Sequence, residues 1–234
     1  NLHCVMTDSH SQAEPSGVAE CYDRWSSQYD DDRNPTRDLD ALVLRRSSLR
    51  VRGRTVLELG AGTGKNTRWL AGEARHVIAM DFSAGMLAHA RRNVRATNVE
   101  FVEHDVERPW PVETGAVEVV VANLVLEHVR DLAPVMAECA RAVRAGGQLY
   151  LCELHPYRQL LGGRAQFTDP QSREMVDVPA FRHTVSEYVT TALAAGFVLR
   201  DLGEWLEAGA AATDPPRLLS LLFDRDVRAA HPPG

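Results

Sequence analysis

A short glycine-rich segment is the strongest chemical signal in the sequence. Its seven residues, from Glu58 to Gly64, read ELGAGTG and follow a short apolar run that begins at Thr55. Glycines let a backbone approach a ligand closely at the carboxyl edge of a sheet, and the first N–H groups of a following helix are free to bind it. The segment therefore predicts a nucleotide or nucleoside cradle, although a purely structural glycine turn is a further alternative.

Two common nucleotide motifs fit this segment poorly. A P-loop reads G-x-x-x-x-G-K-[ST], but Leu59 stands at its first glycine position and Asn66 at the hydroxyl that would bind magnesium. A dinucleotide turn reads G-x-G-x-x-G, and here the third glycine comes one residue early. Glu58 also precedes the turn, where a carboxylate repels a pyrophosphate and attracts an ammonium group.

Two further acids stand at the ends of predicted strands. Asp81 ends the second strand, and Asp105 follows the third. A single carboxylate at the first position accepts from both hydroxyls of a ribose, and one at the second can accept from an adenine amine. Together with Glu58, these acids favour a cationic ligand that contains a nucleoside and no phosphate.

An alternation of strands and helices is predicted to bring these acids to one edge of a sheet. Ser83, Asp131 and Thr184 stand where helix caps are expected. Strands separated by helices predict βαβ units and a parallel sheet. The predicted strands are 55–59, 76–80, 99–103, 117–123, 148–154, 197–205 and 217–223, and the helices are 65–74, 83–96, 131–144 (ended by the glycine pair 146–147) and 184–196.

Two segments outside this alternation of strands and helices are expected to cover the predicted ligand site at the sheet edge. Residues 17–50 have helical texture, and Tyr22, Trp25 and Tyr29 recur on one face of a helix before a polar break at 30–35. Residues 155–183 show no clear period, and a loop of this length is usually functional or mobile. We expect a lid from the first segment and a substrate cap from the second. The aromatic stripe has a simpler alternative, as the buried face of a helix.

Length and charge limit the partners. The chain has 234 residues, and we expect one domain, 17–234, behind a disordered tail, 1–16. A net charge of −6 disfavours nucleic-acid binding. Because no apolar run reaches the roughly 18 residues of a membrane span and no signal peptide is evident, we expect a cytoplasmic protein without a membrane partner, as a monomer or homodimer.

Four segments, in order along the chain, resemble the class I S-adenosylmethionine-dependent methyltransferases, and in particular their type 11 small-molecule subgroup. They are ELGAGTG from Glu58, MDFSAGML from Met80, NLVLEHV from Asn123 and GGQLYL from Gly146. The resemblance covers about Tyr22 to Phe223. It implies an α/β fold with a Rossmann-like, doubly wound sheet of seven strands, mostly parallel with an antiparallel last strand, under an N-terminal helical lid.

The same resemblance implies that S-adenosylmethionine is the cofactor and S-adenosylhomocysteine the product. It also implies a set of residues that contact the cofactor. They are Tyr22, Tyr29, Glu58, Gly60, Ala61, Gly62, Asp81, Phe82, Met86, Asp105, Val106, Asn123, Leu124 and His128.

Segments that mark other methyltransferase subgroups are missing. The fourth strand is followed by Leu124 and Val125 where DNA amino-methyltransferases have two prolines, no Pro-Cys pair occurs, and the Asp-Asn pair of magnesium-dependent catechol enzymes is absent. We therefore expect no metal and a small acceptor, such as an indole- or phenol-like metabolite of bacterial secondary metabolism. A quinone-biosynthesis enzyme and a non-catalytic cofactor-binding member of the family are the alternatives.

Methyl transfer from a sulfonium needs alignment and, for some acceptors, a base. His155 follows the fifth strand and is expected to face the acceptor, and His183 and Tyr29 are the other catalytic candidates. His155 could instead bond to loop backbone. Glu153 could orient His155 or pair with an arginine.

Overall fold

A seven-stranded sheet organises the part of the chain that the computed structural model describes, residues 15–26, 29, 34–163, 165–169 and 172–226. The strand order is β3-β2-β1-β4-β5-β9-β8. The first five strands run parallel, and β9 pairs antiparallel with both β5 and β8. The Rossmann-like sheet with one antiparallel strand is thereby confirmed. Its strands are β1 Thr55–Leu59, β2 His76–Asp81, β3 Val99–Glu103, β4 Val117–Asn123, β5 Val143–Leu154, β8 Phe197–Trp205 and β9 Leu218–Arg225.

Helices cover both faces of this sheet, and each face buries its own apolar cluster. One cluster includes Leu44 and Leu70 from the first side, and the other includes Met136 and Tyr188 from the opposite side. Strands β1 and β4 are buried almost throughout, as central parallel strands are. The helices are α1 Pro15–Trp25, α2 Pro35–Arg46, α3 Lys65–Glu73, α4 Ala84–Asn93, α5 Leu132–Ala142, α6 Pro156–Leu160 and α7 Val185–Ala194, with a 3-10 helix at Leu126–His128.

The predicted helix caps are confirmed at three positions. The side chains of Ser83, Asp131 and Thr184 each accept a backbone N–H of the first turn of their helix. This satisfies one of the N–H groups that a helix start leaves unpaired. Gly196 follows α7 with a φ of +87°, which matches its predicted role in ending that helix.

The prediction that the glycine pair 146–147 ends α5 is wrong. The helix ends at Ala142, and the glycines lie within β5. A Cβ at Gly147 would lie 2.6 Å from the carbonyl oxygen of Glu118, so close strand contact explains the glycine there. Val143 pairs with Val117 across an irregular register, which accommodates the early strand start.

The lid and the cap also differ from their predicted forms. Helix α1 ends at Trp25, so Tyr29 lies beyond it and the three aromatic residues do not share one helix. The cap contains α6 and a hairpin of β6 Gln166–Thr168 and β7 Met175–Asp177. Most of the predicted tail and part of the polar break lie outside the described residues. No helix in the described ranges is both long enough and apolar enough to cross a bilayer.

A small apolar group joins lid and cap. It consists of Val18, Trp25, Phe167 and Val178, which we call the lid cluster. The rings of Trp25 and Phe167 stack with their centroids 5.3 Å apart. Arg24 of α1 forms an ion pair with the buried carboxylate of Asp169. The cluster is separate from the two clusters of the sheet, so α1 and the cap share an apolar contact of their own.

Candidate active site

The glycine turn leaves β1 in a conformation that other residues rarely adopt. Gly60, Gly62 and Gly64 have φ values of +66°, +54° and +86°. At Gly60 a Cβ would also lie only 2.7 Å from the Cβ of Val125. The turn therefore requires glycine at Gly60 for two independent reasons, and it brings the backbone against the loop that follows β4.

An open crevice of about 1050 Å³ lies above this turn. Parallel strands of a doubly wound sheet place ligands at this carboxyl edge. Most of the residues predicted to contact the cofactor line it: Tyr22, Tyr29, Glu58, Gly60, Ala61, Asp81, Phe82, Asp105, Val106, Asn123, Leu124 and His128.

Two predicted contact residues do not line the crevice. The N–H of Gly62 donates to Oδ2 of Asp81 at 2.8 Å, so this glycine holds the acid in place. Met86 is buried in the first turn of α4, and its N–H donates to Oγ of Ser83. Met86 thus supports the loop after β2 from below, and a direct contact with the cofactor stays a prediction.

The acids of the crevice are buried, and burial changes their ionisation. Glu58 accepts a hydrogen bond from Oγ1 of Thr67 at 2.6 Å, and burial raises its pKa to about 8. Burial also raises the pKa of Asp81 to about 6, against the opposing effect of N–H donors from Gly62 and Ser83. A cation bound nearby would stabilise the charged carboxylates, so the crevice favours a positively charged ligand.

Asp40 is a further acid that the sequence reasoning missed. It lies on α2, is 3% exposed, and accepts hydrogen bonds from the side-chain amides of Asn66, at 2.8 Å, and Asn123. The amide oxygens of both asparagines are buried and have no partner within the described part of the chain. Such acceptors fit an ammonium donor. The available signal was an acid within the apolar stripe of Leu39, Leu42 and Val43, where a solvated charge is unexpected.

Two cations complete the same end of the crevice. Lys65 and Arg37 line it, with Lys65 paired to Asp38 at 2.6 Å and the Arg37 guanidinium 3.9 Å from the centroid of the Tyr29 ring. A guanidinium or ammonium group suits a carboxylate. Next to the acceptors around Asp40, this pattern fits an amino acid, with its ammonium and carboxylate groups together.

The lid is bound to the sheet through Tyr22 and His128. Nδ1 of His128 lies 2.7 Å from the carbonyl oxygen of Pro179, which can only accept, so Nδ1 carries the hydrogen. Nε2 therefore accepts the hydrogen bond from the Tyr22 hydroxyl, at 2.8 Å. Burial raises the pKa of Tyr22 well above its usual value, which keeps this hydroxyl protonated.

The two histidines predicted to act as bases lie elsewhere. His155 caps α6: its Nδ1 accepts the N–H of Tyr157 and its Nε2 donates to Glu204 at 2.9 Å. His183 is buried, with Nδ1 2.9 Å from Oε1 of Glu187 and Nε2 2.8 Å from the carbonyl of Val129. Neither lines the crevice. Both ring nitrogens of each histidine serve the structure, so neither fits the predicted catalytic role.

Glu153 also differs from its predicted roles. Among the described residues, it neither orients His155 nor pairs with an arginine. Its Oε1 accepts the backbone N–H groups of Val125 and Leu126, at 3.3 and 3.1 Å. Glu153 therefore supports the loop after β4 from within the core.

A second cavity, of about 850 Å³, opens beside the crevice. It shares Tyr22, Tyr29, Arg37 and Leu124 with the crevice. Its other walls come from the lid, the cap hairpin and the loop before β9, and include Trp25, Glu127, Leu154, Gln166 and Arg217. Of the three predicted catalytic residues, only Tyr29 lines either space. Among the residues described, no cluster of histidine, cysteine and acidic side chains is suited to a metal ion.

Known proteins share this arrangement. A family model described as a methyltransferase domain matches residues 57–151. The demethylmenaquinone methyltransferase of Clavibacter sepedonicus is 28% identical over 94% of this chain and 92% of its own length, and that of Beutenbergia cavernae is 30% identical over 74% and 75%. A solved structure described as a DhpI-SAM-HEP complex has a TM-score of 0.68 and 25% identity, over 92% of this chain and 99% of that one. The chain therefore belongs to the class I methyltransferases, enzymes whose cofactor is S-adenosylmethionine.

Proposed function

We propose that this methyltransferase acts on a small, phenol-like aromatic acceptor that binds in the second cavity. The observation that carries the proposal is the continuity of this cavity with the crevice through Tyr22, Tyr29 and Leu124. Trp25 adds a third aromatic ring to its wall. Aromatic and apolar walls with a few polar groups are typical of small-molecule sites.

In this proposal, residues of the crevice bind the cofactor and residues of the second cavity bind the acceptor. S-adenosylmethionine, when bound, supplies an electrophilic methyl group. We assign Asp81 to the ribose, Asp105 to the adenine, and the groups around Asp40 to the amino acid. The second cavity holds the acceptor in line with this methyl group. Alignment of two reactants contributes a large part of such a rate enhancement.

Quinone biosynthesis is the second candidate, and the relatives favour it. The two bacterial relatives described above are demethylmenaquinone methyltransferases. A dihydroxynaphthalene ring fits the same aromatic walls as a simple phenol. The wider prediction, that the protein is an enzyme of secondary metabolism, is not tested by these relatives and stays a prediction.

A product search separates these candidates. The protein is incubated with S-adenosylmethionine and, separately, phenol, indole or 1,4-dihydroxynaphthalene, and products that gain CH2 are detected by mass spectrometry. We expect methylation of the two hydroxylated rings and none of indole, with preference for the naphthalene if the quinone role is correct. Asp81→Ala is the control that removes cofactor binding. Tight S-adenosylhomocysteine binding without any methylated product would instead favour a non-catalytic member of the family.

A further inference from the structure

The carboxyl group of Glu127 is buried in the wall of the second cavity. After β4, Leu124 adopts a left-handed φ of +54°, and the chain enters the 3-10 helix Leu126–His128. Oε2 of Glu127 accepts a hydrogen bond from the side-chain amide of Gln159 at 3.2 Å, and Oε1 lies 4.0 Å from Nε2 of His128. Because His128 lines the crevice, Glu127 lies close to the place where the two spaces meet.

Other groups that could take a proton are engaged or absent from this wall. Nε2 of His128 already accepts the hydrogen bond of Tyr22, and the Tyr22 hydroxyl stays protonated. His155 and His183 line neither space. Among the described residues of the second cavity, Glu127 supplies the one carboxyl group.

Glu153 lies beneath this wall and affects the charge of Glu127. Its Oε2 is buried and has no hydrogen-bond partner within the described residues. Burial first, and the nearby Glu127 second, raise the pKa of Glu153 well above its usual value. Glu153 therefore keeps its proton and places no second negative charge beside Glu127.

We propose that Glu127 accepts the proton from the hydroxyl group of the acceptor during methyl transfer, an inference that rests on the proposed function. The acceptor oxygen forms a bond to the methyl carbon, the electron pair of the broken S–C bond stays on sulfur, and the O–H proton passes to the Glu127 carboxylate. A sulfonium, a neutral phenol and a carboxylate thus become a thioether, a methyl ether and a carboxylic acid. Since a phenol has a pKa of about 10, a base at this position removes the need for prior ionisation.

Two phenols of different acidity test this role. In a mildly alkaline assay phenol is still mostly un-ionised, whereas 4-nitrophenol, which ionises near neutral pH, is largely ionised and needs no base. Glu127→Gln is expected to lower S-adenosylhomocysteine formation from phenol by roughly 100-fold to 10,000-fold and to change the rate with 4-nitrophenol far less. Glu174→Gln, an exposed acid of the cap, is the matched control. An unchanged dissociation constant for S-adenosylhomocysteine verifies that each variant is folded.

A second measurement needs no turnover. In the complex with S-adenosylhomocysteine, a carboxylate at position 127, as the proposal requires, disfavours ionisation of bound 4-nitrophenol. Glu127→Gln should therefore shift the appearance of the nitrophenolate absorption band to lower pH. Arg37 and Arg217 line the same cavity, and His128 and Glu153 lie next to Glu127. All four residues are unchanged in this variant.

The outcomes are distinguishable. Equal rate losses with both phenols, or an unshifted absorption band, would overturn the role of Glu127 and leave the proposed function intact. If the wild-type protein methylates neither phenol, the proposed acceptor class is wrong. The proposed role of Glu127 is then wrong as well, because it depends on that acceptor class.

Discussion

The hydroxyl of Tyr22 donates a hydrogen bond to Nε2 of His128 at 2.8 Å and so connects the lid to the loop after β4. Tyr22→Phe would remove this bond and keep the ring contacts with Trp25 and Phe82. We expect the dissociation constant for S-adenosylhomocysteine to rise roughly fivefold, because one such bond contributes about 1 kcal/mol. Titration calorimetry measures the change. Tyr157→Phe, at an exposed tyrosine, is the control, and equal affinities in both variants would contradict the prediction.

Cofactor binding near pH 7 is expected to release protons. The pKa of Glu58 is about 8 in the free protein, so most of this carboxyl group is protonated at pH 7. A bound cation favours the carboxylate, and affinity should therefore rise as the pH increases toward 8 and then level off. Asp81, with a pKa of about 6, adds a smaller dependence at lower pH.

Calorimetry in buffers with different ionisation enthalpies counts the released protons. The variant Glu58→Gln should release fewer protons than the wild type, and this difference separates Glu58 from the titrating amino group of the cofactor itself. The same proton count in both proteins would show that the ionisation of Glu58 is independent of binding.

Replacement of Gly60 by alanine should damage both stability and cofactor binding. A left-handed φ costs alanine about 1–2 kcal/mol, and the added Cβ would also collide with Val125. Gly72→Ala, in the last turn of α3, meets no atom within 4 Å and should be neutral or slightly stabilising. Thermal unfolding and S-adenosylhomocysteine titration of the two variants compare these effects. A folded Gly60→Ala protein with normal affinity would refute the close-contact argument.

His183 is expected to matter for stability and not for chemistry. His183→Ala removes two buried hydrogen-bonding contacts, to Val129 and Glu187, and should lower the free energy of unfolding by about 2 kcal/mol. Urea denaturation measures this loss, with the half-buried His76→Ala as the control. A large fall in kcat without a loss of stability would restore the catalytic assignment.

The sequence predicted best those features that depend on where a single strand ends and on the type of residue found there. Strands β1, β3 and β4 have their predicted bounds because each is a short, mainly apolar run that ends at a polar residue or just before a glycine. Glu58 and Asp81 were found for the same reason. These features depend on local chain geometry, which a single segment contains.

Features that depend on distant segments were not predictable in the same way. Asp40 approaches Asn66 and Asn123 only when α2 packs beside the sheet. His155 appeared catalytic because it follows a strand, but the helix that it caps and its partner Glu204 lie off the crevice. The roles of Asp40 and His155 depend on side chains that are distant in the sequence. A single sequence does not show which of these side chains come into contact.

The lid cluster has a consequence for how such an enzyme diversifies. Val18, Trp25, Phe167 and Val178 pack on one another and not within the two clusters of the sheet. Trp25 lines the second cavity, so a substitution there can reshape that cavity while the apolar clusters of the sheet keep their packing. Selection for a new acceptor can therefore proceed through the lid and cap, with little pleiotropic effect on the rest of the molecule.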